Sequence, residues 1–469
     1  MHEVKIEFSG LKFLSILNFE CKKEINEHGH AAIRGHITEE MEKKISAMAI
    51  GGETAEIFAV DESGERQLLF RGLIEQFKVK NTIELKLAEI ELVSGTKMMD
   101  VVEHTRTFQD ESISYGNLLE IINANYTSID CIQECNTKKN IGKFIVQYEE
   151  TDWEFVRRLA SLLHTCVYPV YNGKSAGYSF GISEKNTVAE IDTVEYVQQS
   201  NTLEYKNKTE NGLSDYYYTD ASSFQVKSRE LYEIGQSVTL NRIKLYIYQI
   251  HSKLIGEELI HQYELRSYGG FQQIQTYNKY LIGASLPGMI LGVTKDKVKV
   301  HIGVDAKQEE SSARWFPFST IYSSPDGTGW YCMPEPGDRV RIYFPNEKEE
   351  DSYAISAIHV SQGTVAGEAR SNPDNKSIST KYGKQVELTP TTISVTNNNG
   401  MSVTLDDEMG VSIVSDKDIV IQSENILEIC SVADSVQIEG TESIEFIQGE
   451  NKFIMKDDIS MHGGTVKIQ

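Results

Sequence analysis

Apolar residues recur in pairs, two positions apart, along the last part of the chain, residues 383–469. Residues two positions apart point to the same face of a β-strand, so each pair predicts one short strand with one apolar face. The steps between the first members of successive pairs are 10, 8, 8, 8, 9, 8, 9, 6 and 7 residues. This period predicts a β-solenoid or a triple-stranded β-prism rather than a compact sheet. The pairs are Ile393/Val395, Val403/Leu405, Val411/Ile413, Ile419/Ile421, Leu427/Ile429, Val436/Ile438, Ile444/Phe446, Phe453/Met455, Ile459/Met461 and Val466/Ile468.

The length of this repeat bears on the choice between the two architectures. One chain with so few and such short strands would form only a few coils, and the ends of its small core would be left open. Three chains winding together remove those ends, because each contributes one face of a prism and its strands pair with neighbours from other chains. The period fits both architectures, and the core size favours a homotrimer. Residues 401–469 hold 14 Asp and Glu against 4 Lys, so we expect an acidic outer face.

Charge and cysteine usage exclude several classes of protein. The formal net charge is −23, which disfavours nucleic acid as a partner. Six cysteines in 469 residues do not resemble a secreted disulfide framework and indicate a reducing compartment. The N-terminus alternates like a strand and lacks the features of a signal peptide, so we expect synthesis in the cytoplasm. The longest uncharged apolar stretch has 13 residues, at 281–293, short of the ~20 that span a bilayer.

Proline and linker composition predict the domain boundaries. One of nine prolines, Pro169, precedes residue 280, and the other eight lie between Pro287 and Pro390. Residues 361–381 are rich in Gly, Ser, Asn and Thr without apolar periodicity, as in a linker. We therefore expect a first domain at 1–285, a second at 286–360, a linker at 361–381 and the repeat at 382–469.

The first of these regions mixes strands with helices. Short β-prone runs separated by turns suggest a small barrel early in the region, and alternating runs between 212 and 266 suggest a second one. Apolar spacing predicts a helix between Ser112 and Tyr126. A second helix is predicted from Thr151, where Thr151 and Glu154 form a capping box.

Three sets of residues carry a resemblance to a known family. One is Asn-Glu-His-Gly-His-Ala at 26–31, and another, at 146–160, has the pattern Q-x-x-E-[ST]-D-x-x-F-x-x-R-L. The third consists of segments at 292–300, 315–317 and 329–344, the last with P-x-x-G-D-x-V-x-x-x-F. These motifs resemble the hub and spike proteins of contractile phage tails, type VI secretion (VgrG-like) and tail-like bacteriocins, and the third set resembles the OB-fold barrel of these spikes.

The resemblance implies a mainly β protein with some α structure. Its parts are a hub of two small β-barrels plus an α/β insert, an OB-fold barrel, and a C-terminal triple-stranded β-helix (β-prism) needle. It implies a structural spike of a phage tail, tail-like bacteriocin or type VI-like system, which caps the inner tube as a homotrimer and punctures the target cell envelope. The expected partners are inner tube and baseplate proteins, and the expected location is the baseplate of such a particle. No nucleic acid is expected.

Some members of this family carry an enzyme, which we do not expect here. The interval where relatives hold a muramidase is the 21-residue stretch 361–381, and the sequence stops at Gln469, immediately after the last repeat. A solenoid β-helix enzyme that degrades polysaccharide would need longer coils with a groove of carboxylates. A receptor-binding tail fibre would need a globular tip. Both remain alternatives to the spike.

Residues 459–469 form the expected tip. A prism that ends here exposes apolar side chains, which commonly marks a partner site. Some spikes of this family hold an iron with two histidines per chain, whereas this end offers only His462. The resemblance therefore implies a small separate cap of the PAAR type, bound at Met461, His462, Val466 and Ile468, with Gly463 and Gly464 allowing the last strand to bend.

The histidines, cysteines and adjacent acids of the chain give only weak evidence for a metal or catalytic site. His28, His30 and His36 include two histidines two apart in a strand, but no Cys, Asp or Glu at ligand spacing completes a metal site. Cys131 and Cys135 could form half of a zinc site or a disulfide, but no second close pair of cysteines follows. Adjacent acids, Glu149/Glu150 and Asp406/Asp407, are better explained as surface charge than as a hydrolytic pair. We predict no catalytic, cofactor or metal site.

Overall fold

The computed structural model describes residues 5–81, 85–127, 129–171, 176–184, 189–191, 193, 195–358 and 372–455. The chain divides into two compact units, Met1–Val360 and Ser361–Gln469. Strands make up 44% of the described residues and helices, with short 3-10 turns included, 15%, which confirms the mainly β class. No helix in the described ranges has the length and apolar character needed to cross a membrane.

The first unit contains four α-helices and most of the strands that the structure describes. The helices are α1 Glu39–Gly51, α2 Tyr115–Asn123, α3 Asp152–Leu162 and α4 Thr202–Glu210. The strands are β1 Lys5–Phe8, β2 Ser15–Glu24, β3 His30–Ile37, β4 Thr54–Val60, β5 Arg66–Asn81, β6 Lys86–Val93, β7 Glu103–Phe108, β8 Ile129–Gln133, β9 Ile145–Thr151, β10 Val167–Val170, β11 Ala176–Phe180, β12 Ala189–Glu190, β13 Tyr196–Ser200, β14 Ser222–Ser228, β15 Ser237–Leu240, β16 Ile243–Ile255, β17 Glu258–Arg266, β18 Ser285–Thr294, β19 Lys297–Ile302, β20 Trp315–Pro317, β21 Arg339–Tyr343 and β22 Tyr353–Ile358.

One large sheet organises the hub. Its order is β1-β4-β5-β6-β3-β2-β16-β17-β14-β13, with β15 beside β16 and β12 beside β15. Residues 20–24 of β2 pair with residues 249–253 of β16, so the two halves join edge to edge. The prediction of two small barrels is corrected accordingly: in the described residues the hydrogen bonds follow one open path instead of two closed rings. Each half keeps its own hydrophobic cluster.

The α/β insert lies between the halves of the hub and holds α2 and α3. The predicted helix near 112–126 is α2, and Ser114 caps its first turn by accepting from the Asn117 amide. The capping box at Thr151 and Glu154 is confirmed at the start of α3. Both helices bury an apolar face against the short sheet β10-β11-β8 and the pair β7-β9. Helices α1 and α4 were not predicted.

The OB domain is a five-stranded antiparallel sheet with the order β20-β19-β18-β21-β22. A bridge between Phe318 and Ala354 joins its two edges. Its core includes Phe144 and Val146 from the hub insert, where Phe144 packs on Phe316 and Phe344. The two domains therefore share one core within the first unit.

The second unit contains a β-meander and a hairpin. Their strands are β23 Lys376–Ser379, β24 Gln385–Leu388, β25 Thr392–Thr396, β26 Ser402–Asp406, β27 Gly410–Val414, β28 Ile444–Gln448 and β29 Asn451–Met455. Strands β23 to β27 pair with their sequence neighbours in this chain. This corrects the expectation that every repeat strand pairs with other chains. Residues 415–443, with three apolar pairs, contain no strand, and the pairs at 459–468 lie outside the described residues.

Candidate functional site: the junction and the needle face

A buried ion triad joins the hub insert to the OB domain. Arg158 of α3 donates from Nε and Nη2 to the Glu150 carboxylate, at 2.8–3.2 Å. Its Nη1 donates to Glu349 Oε1 at 2.9 Å, and Nη2 also donates to the Val146 carbonyl at 2.6 Å. All three charged side chains are at least nine-tenths buried. Arg158 is therefore shared by α3, β9 and the turn that holds Glu349.

The electrostatics of this triad favour a fixed arrangement. Desolvation raises the pKa of Glu150, while the adjacent Arg158 opposes that shift. Burial disfavours the charge of Arg158, but the two carboxylates hold its pKa above the ordinary value. Removing one member would leave a buried charge without its partner, which is costly.

A second cluster surrounds Asp152 at the start of α3. Gln147 Nε2 and Tyr126 Oη donate to its two carboxylate oxygens, each at 2.9 Å, and Arg106 forms an ion pair with it. Thr151 Oγ1 donates to Asp100 at 2.7 Å while it also caps the helix. Desolvation, followed by the hydrogen bond to Asp152, raises the pKa of Tyr126. Gln147, Thr151 and Asp152 of the family segment thus make contacts that fix the start of α3.

Further contacts hold the OB domain against the insert. Asp305 accepts from the Thr107 amide at 2.8 Å and from its hydroxyl. Gln109 donates to the Val300 carbonyl at 3.0 Å and accepts from the Arg314 amide at 3.2 Å. Burial raises the pKa of Asp305, and the bonds from Thr107 oppose that shift. We call these contacts together with the ion triad the hub–OB junction.

The histidines considered as metal ligands have separate partners. His28 stacks on Trp153 with ring centroids 4.7 Å apart, and its Nδ1 lies 2.8 Å from Thr96 Oγ1. Burial lowers the pKa of His28 to about 4, against an opposing contribution from Asp100. His36 Nδ1 lies 2.8 Å from Ser15 Oγ, and the His30 side chain is exposed. Within the described ranges, no group of three or more His, Cys, Asp or Glu side chains is placed to hold a metal ion.

The paired acids and the cysteine pair have ordinary surroundings. Glu150 belongs to the ion triad, whereas Glu149 is exposed. Asp406 accepts from two backbone amides of its own turn. Cys131 and Cys135 are free thiols, and burial raises their pKa values to about 12 and about 11. High thiol pKa values disfavour the thiolate that metal binding or nucleophilic attack requires.

One face of the sheet β23–β27 of the second unit, which we call the needle sheet because a needle is predicted here, presents apolar side chains to solvent. Residues Val395 and Val403 lie directly opposite each other, as do Ile393 and Leu405. Alternate residues on the other face, such as Ser394, are polar and less exposed. The nine apolar side chains of this surface, which we call the needle face, are 37–70% exposed: Ile378, Val386, Leu388, Ile393, Val395, Val403, Leu405, Val411 and Ile413.

The predicted tip contacts, Met461, His462, Val466 and Ile468, lie outside the described residues. Sequence reasoning missed Glu349 and Asp305 of the hub–OB junction and Arg106, which pairs with Asp152. The signal for the partners of Glu349 and Arg106 was present, because Arg158 and Asp152 lie in the segment 146–160 that was singled out as a motif. A single sequence does not reveal that its arginine reaches a glutamate 191 positions away.

Residues 287–359 match a family described as the type VI secretion system/phage-baseplate injector OB domain. No curated protein sequence matches the chain significantly. Among solved structures, the E. coli c3393 protein is a component of the type VI secretion system with structural similarity to bacteriophage T4 tail proteins gp27 and gp5. It matches 76% of this chain and 100% of its own, with 12% identity and a TM-score of 0.53.

The half-lidded Francisella PdpA-VgrG complex matches 88% of this chain and 88% of its own, with 10% identity and a TM-score of 0.55. The lidded form of the Francisella complex matches 85% of this chain and 76% of its own, with 12% identity and the same TM-score of 0.55. Likeness at identities this low shows the fold alone. The chain therefore has a fold similar to that of these VgrG-type proteins, and its residues 287–359 match the injector OB-domain family.

Proposed function

We propose that this chain is the central structural spike of a contractile injection apparatus and that it works as a homotrimer. The OB domain of the injector family and the VgrG-like fold support the spike. The needle face is the observation that supports the trimer. In this role the hub caps the inner tube among baseplate proteins, and the needle is driven through the target cell envelope.

Burial of the needle face supplies the driving force for assembly. Full burial of an aliphatic side chain is worth roughly 1.5–3 kcal/mol, and each chain leaves nine such side chains partly exposed. Two more copies of the same sheet present matching apolar rows, so three sheets can enclose one core with three-fold symmetry. The acidic residues between the apolar pairs then lie on the outside.

The hub–OB junction supports the mechanical part of the proposal. A force applied to the hub reaches the needle through the OB domain, so those two domains must move together. The shared core around Phe144 and the buried triad around Arg158 make them one compact unit.

The first experiment is a native mass measurement on the full-length protein. Three chains of 52.9 kDa give 158.7 kDa, and a stable 52.9 kDa monomer in light scattering would defeat the proposal. Limited proteolysis adds a second readout. Residues 382–469 should outlast the hub, because the chains of a shared core must separate together.

We propose a PAAR-type cap on the tip formed by Met461, His462, Val466 and Ile468. Deletion of 459–469 should leave the trimer assembled and remove co-purification with the cap. A truncated particle that remains fully active and uncapped would contradict this part.

We also propose that the protein has no cell-wall hydrolase activity. Purified trimer incubated with peptidoglycan should release no muropeptides. Release that follows the protein through successive purification steps would overturn this assignment and favour the polysaccharide-degrading alternative.

A further inference from the structure

The OB domain carries a short hairpin at 321–331 whose large side chains are uncovered. Ile321 is 91% exposed, Tyr322 and Trp330 are each 53% exposed, and Tyr331 is 76% exposed. Within 318–334 the single charged residue is Asp326, in a chain with 25% charged residues. Depletion of charge and enrichment in Tyr and Trp are typical of the centre of a protein interface. We call this segment the aromatic hairpin.

The aromatic hairpin is ordered by its own backbone. Ser323 and Gly329 form a bridge, the Trp330 amide donates to the Tyr322 carbonyl at 2.9 Å, and the Ser324 amide donates to the Thr328 carbonyl at 2.8 Å. Gly329 has φ +139°, and a Cβ there would lie 2.4 Å from the Tyr322 carbonyl oxygen. Tyr331 Oη donates to the Lys295 carbonyl at 3.0 Å. The exposed rings are therefore held in place and need no folding step before they bind a partner.

Further exposed apolar residues lie beside β21, the strand that follows the aromatic hairpin. Arg339 at the start of β21 pairs with both Met289 of β18 and Ile358 of β22. Met289 and Ile358 are exposed apolar residues, and Ile358 is the last described residue of the OB domain. The OB domain therefore has uncovered apolar side chains both on the hairpin and where its described part ends.

The connection to the needle limits which molecule can cover this surface. Residues 359–371 connect Ile358 to residue 372, the first described residue of the second unit, and a stretch of this length spans at most about 45 Å when fully extended. A domain of the 73 residues 287–359 is roughly 30 Å across. In the proposed trimer, each of three such domains would be tied to the shared needle core by a connection of at most this length.

We propose that the aromatic hairpin of one chain docks on the OB domain of a neighbouring copy, which adds an interface between the first units of two copies. This rests on the proposed trimer and deepens it. The occupant is a second copy of this chain, because the exposed surface is apolar and the short connection to the needle keeps the OB domains of one trimer close together. The chain's own needle is the competing occupant.

Photocross-linking separates these occupants. Tyr331 is replaced by p-benzoylphenylalanine in the full-length protein, the native mass is measured, and the sample is irradiated. We expect a native trimer, with covalent species near 105.8 and 158.7 kDa on a denaturing gel, that is two and three times 52.9 kDa. The linked peptides should come from residues 287–358 of the neighbouring copy.

A matched variant adds Tyr322→Ser and Trp330→Ser to the photoreactive protein. The yield of covalent dimers should fall several-fold at an unchanged native mass, because the apolar contact is lost while the needle core remains. An unchanged yield would overturn the docking, since position 331 would then link neighbours without the contact proposed.

The remaining outcomes are also decisive. A trimer that gives only cross-links within one chain, or none, overturns the docking and leaves the proposed function standing. A wild-type protein that is monomeric in the native mass measurement overturns both.

Discussion

The OB domain and the needle sheet are both five-stranded antiparallel sheets, yet they differ in what covers their apolar residues. In the OB domain, Ile290, Val300 and Ile342 are buried within the chain and packed with Phe144 of the insert. In the needle sheet, Val395 and Val403 lie on the more exposed face. Both sheets have the same alternation of apolar and polar residues along their strands. This alternation indicates which face of a sheet is to be buried, but it does not indicate whether the same chain or another chain covers that face.

The largest effect is expected when a charge is placed on the needle face. Val395→Asp combined with Val403→Asp puts two carboxylates opposite each other in a core that three chains would share. Burial of an unpaired carboxylate is highly unfavourable, so the native mass should fall from 158.7 to 52.9 kDa.

The control for the needle variant uses the opposite face of the same two strands. Ser394 and Thr404 also pair in register, and Ser394→Asp with Thr404→Asp adds the same charges there. This variant should stay trimeric. Dissociation of both variants would mean that net charge, and not burial of the needle face, controls assembly.

A smaller effect, confined to the first unit, is expected from the ion triad. Arg158→Met leaves Glu150 and Glu349 buried without a counter-charge and should lower the free energy of unfolding by about 3–5 kcal/mol. Urea denaturation followed by the fluorescence of buried Trp153 measures it, and the needle trimer should persist.

The neighbouring arginine provides the matched control for that measurement. Arg157 is 39% exposed and forms a single 3.5 Å ion pair with Glu27. Arg157→Met should therefore cost less than about 1 kcal/mol. Similar losses in the free energy of unfolding of Arg158→Met and Arg157→Met would show that the buried triad contributes no more to stability than an exposed ion pair.

The next effect is expected in the pH dependence of the stability of the first unit. Burial lowers the pKa values of His28 and His261 in the first unit to about 4. The unfolded imidazoles take up protons near pH 6.5, so stability is full above that pH and is lost as the pH falls towards 4. Each histidine contributes up to about 1.4 kcal/mol per pH unit within this window.

His28→Phe keeps an aromatic ring against Trp153 and removes the titrating group. Urea denaturation between pH 4 and 7 should give a slope smaller by about one proton. His30→Phe, at an exposed position, is the control. An undiminished slope in His28→Phe would contradict the assignment to this ring.

The smallest effect is expected at the cap of α3. Thr151→Ala removes the acceptor for the Glu154 amide and the bond to Asp100, and should cost about 1–2 kcal/mol in urea denaturation. The Ser114 hydroxyl caps α2 by accepting from the Asn117 amide, without a further bond among the described residues like the one from Thr151 to Asp100. Ser114→Ala should therefore cost less. A larger loss of stability in Ser114→Ala than in Thr151→Ala would contradict this expectation.

The sequence predicts local features of this molecule well. The capping box at Thr151 and the face shared by Ile393 and Val395 follow from neighbours in the chain, and the OB segments were recognised from their order. Two barrels were expected where one open sheet is found, because the pairing of β2 with β16 joins strands more than 200 residues apart. Nothing local specifies such a pairing.

The contacts of the segment 146–160 show the same division between local and distant information. Gln147 and Asp152 contact each other five residues apart and belong to a visible motif. Glu349 looks like one acid in the run Glu347-Lys348-Glu349-Glu350-Asp351, which reads as a solvated turn. Only the fold brings this carboxylate to Arg158.

The shared arginine also bears on where two such proteins could be joined in a chimera. A chimera joined near residue 285 would pair the hub of one parent with the OB domain of another and would separate Arg158 from the glutamate that it contacts here. A joint within 359–371 would keep the junction and the core around Phe144 within one parent sequence. We therefore expect exchange of the second unit to disturb these contacts less than exchange of the OB domain.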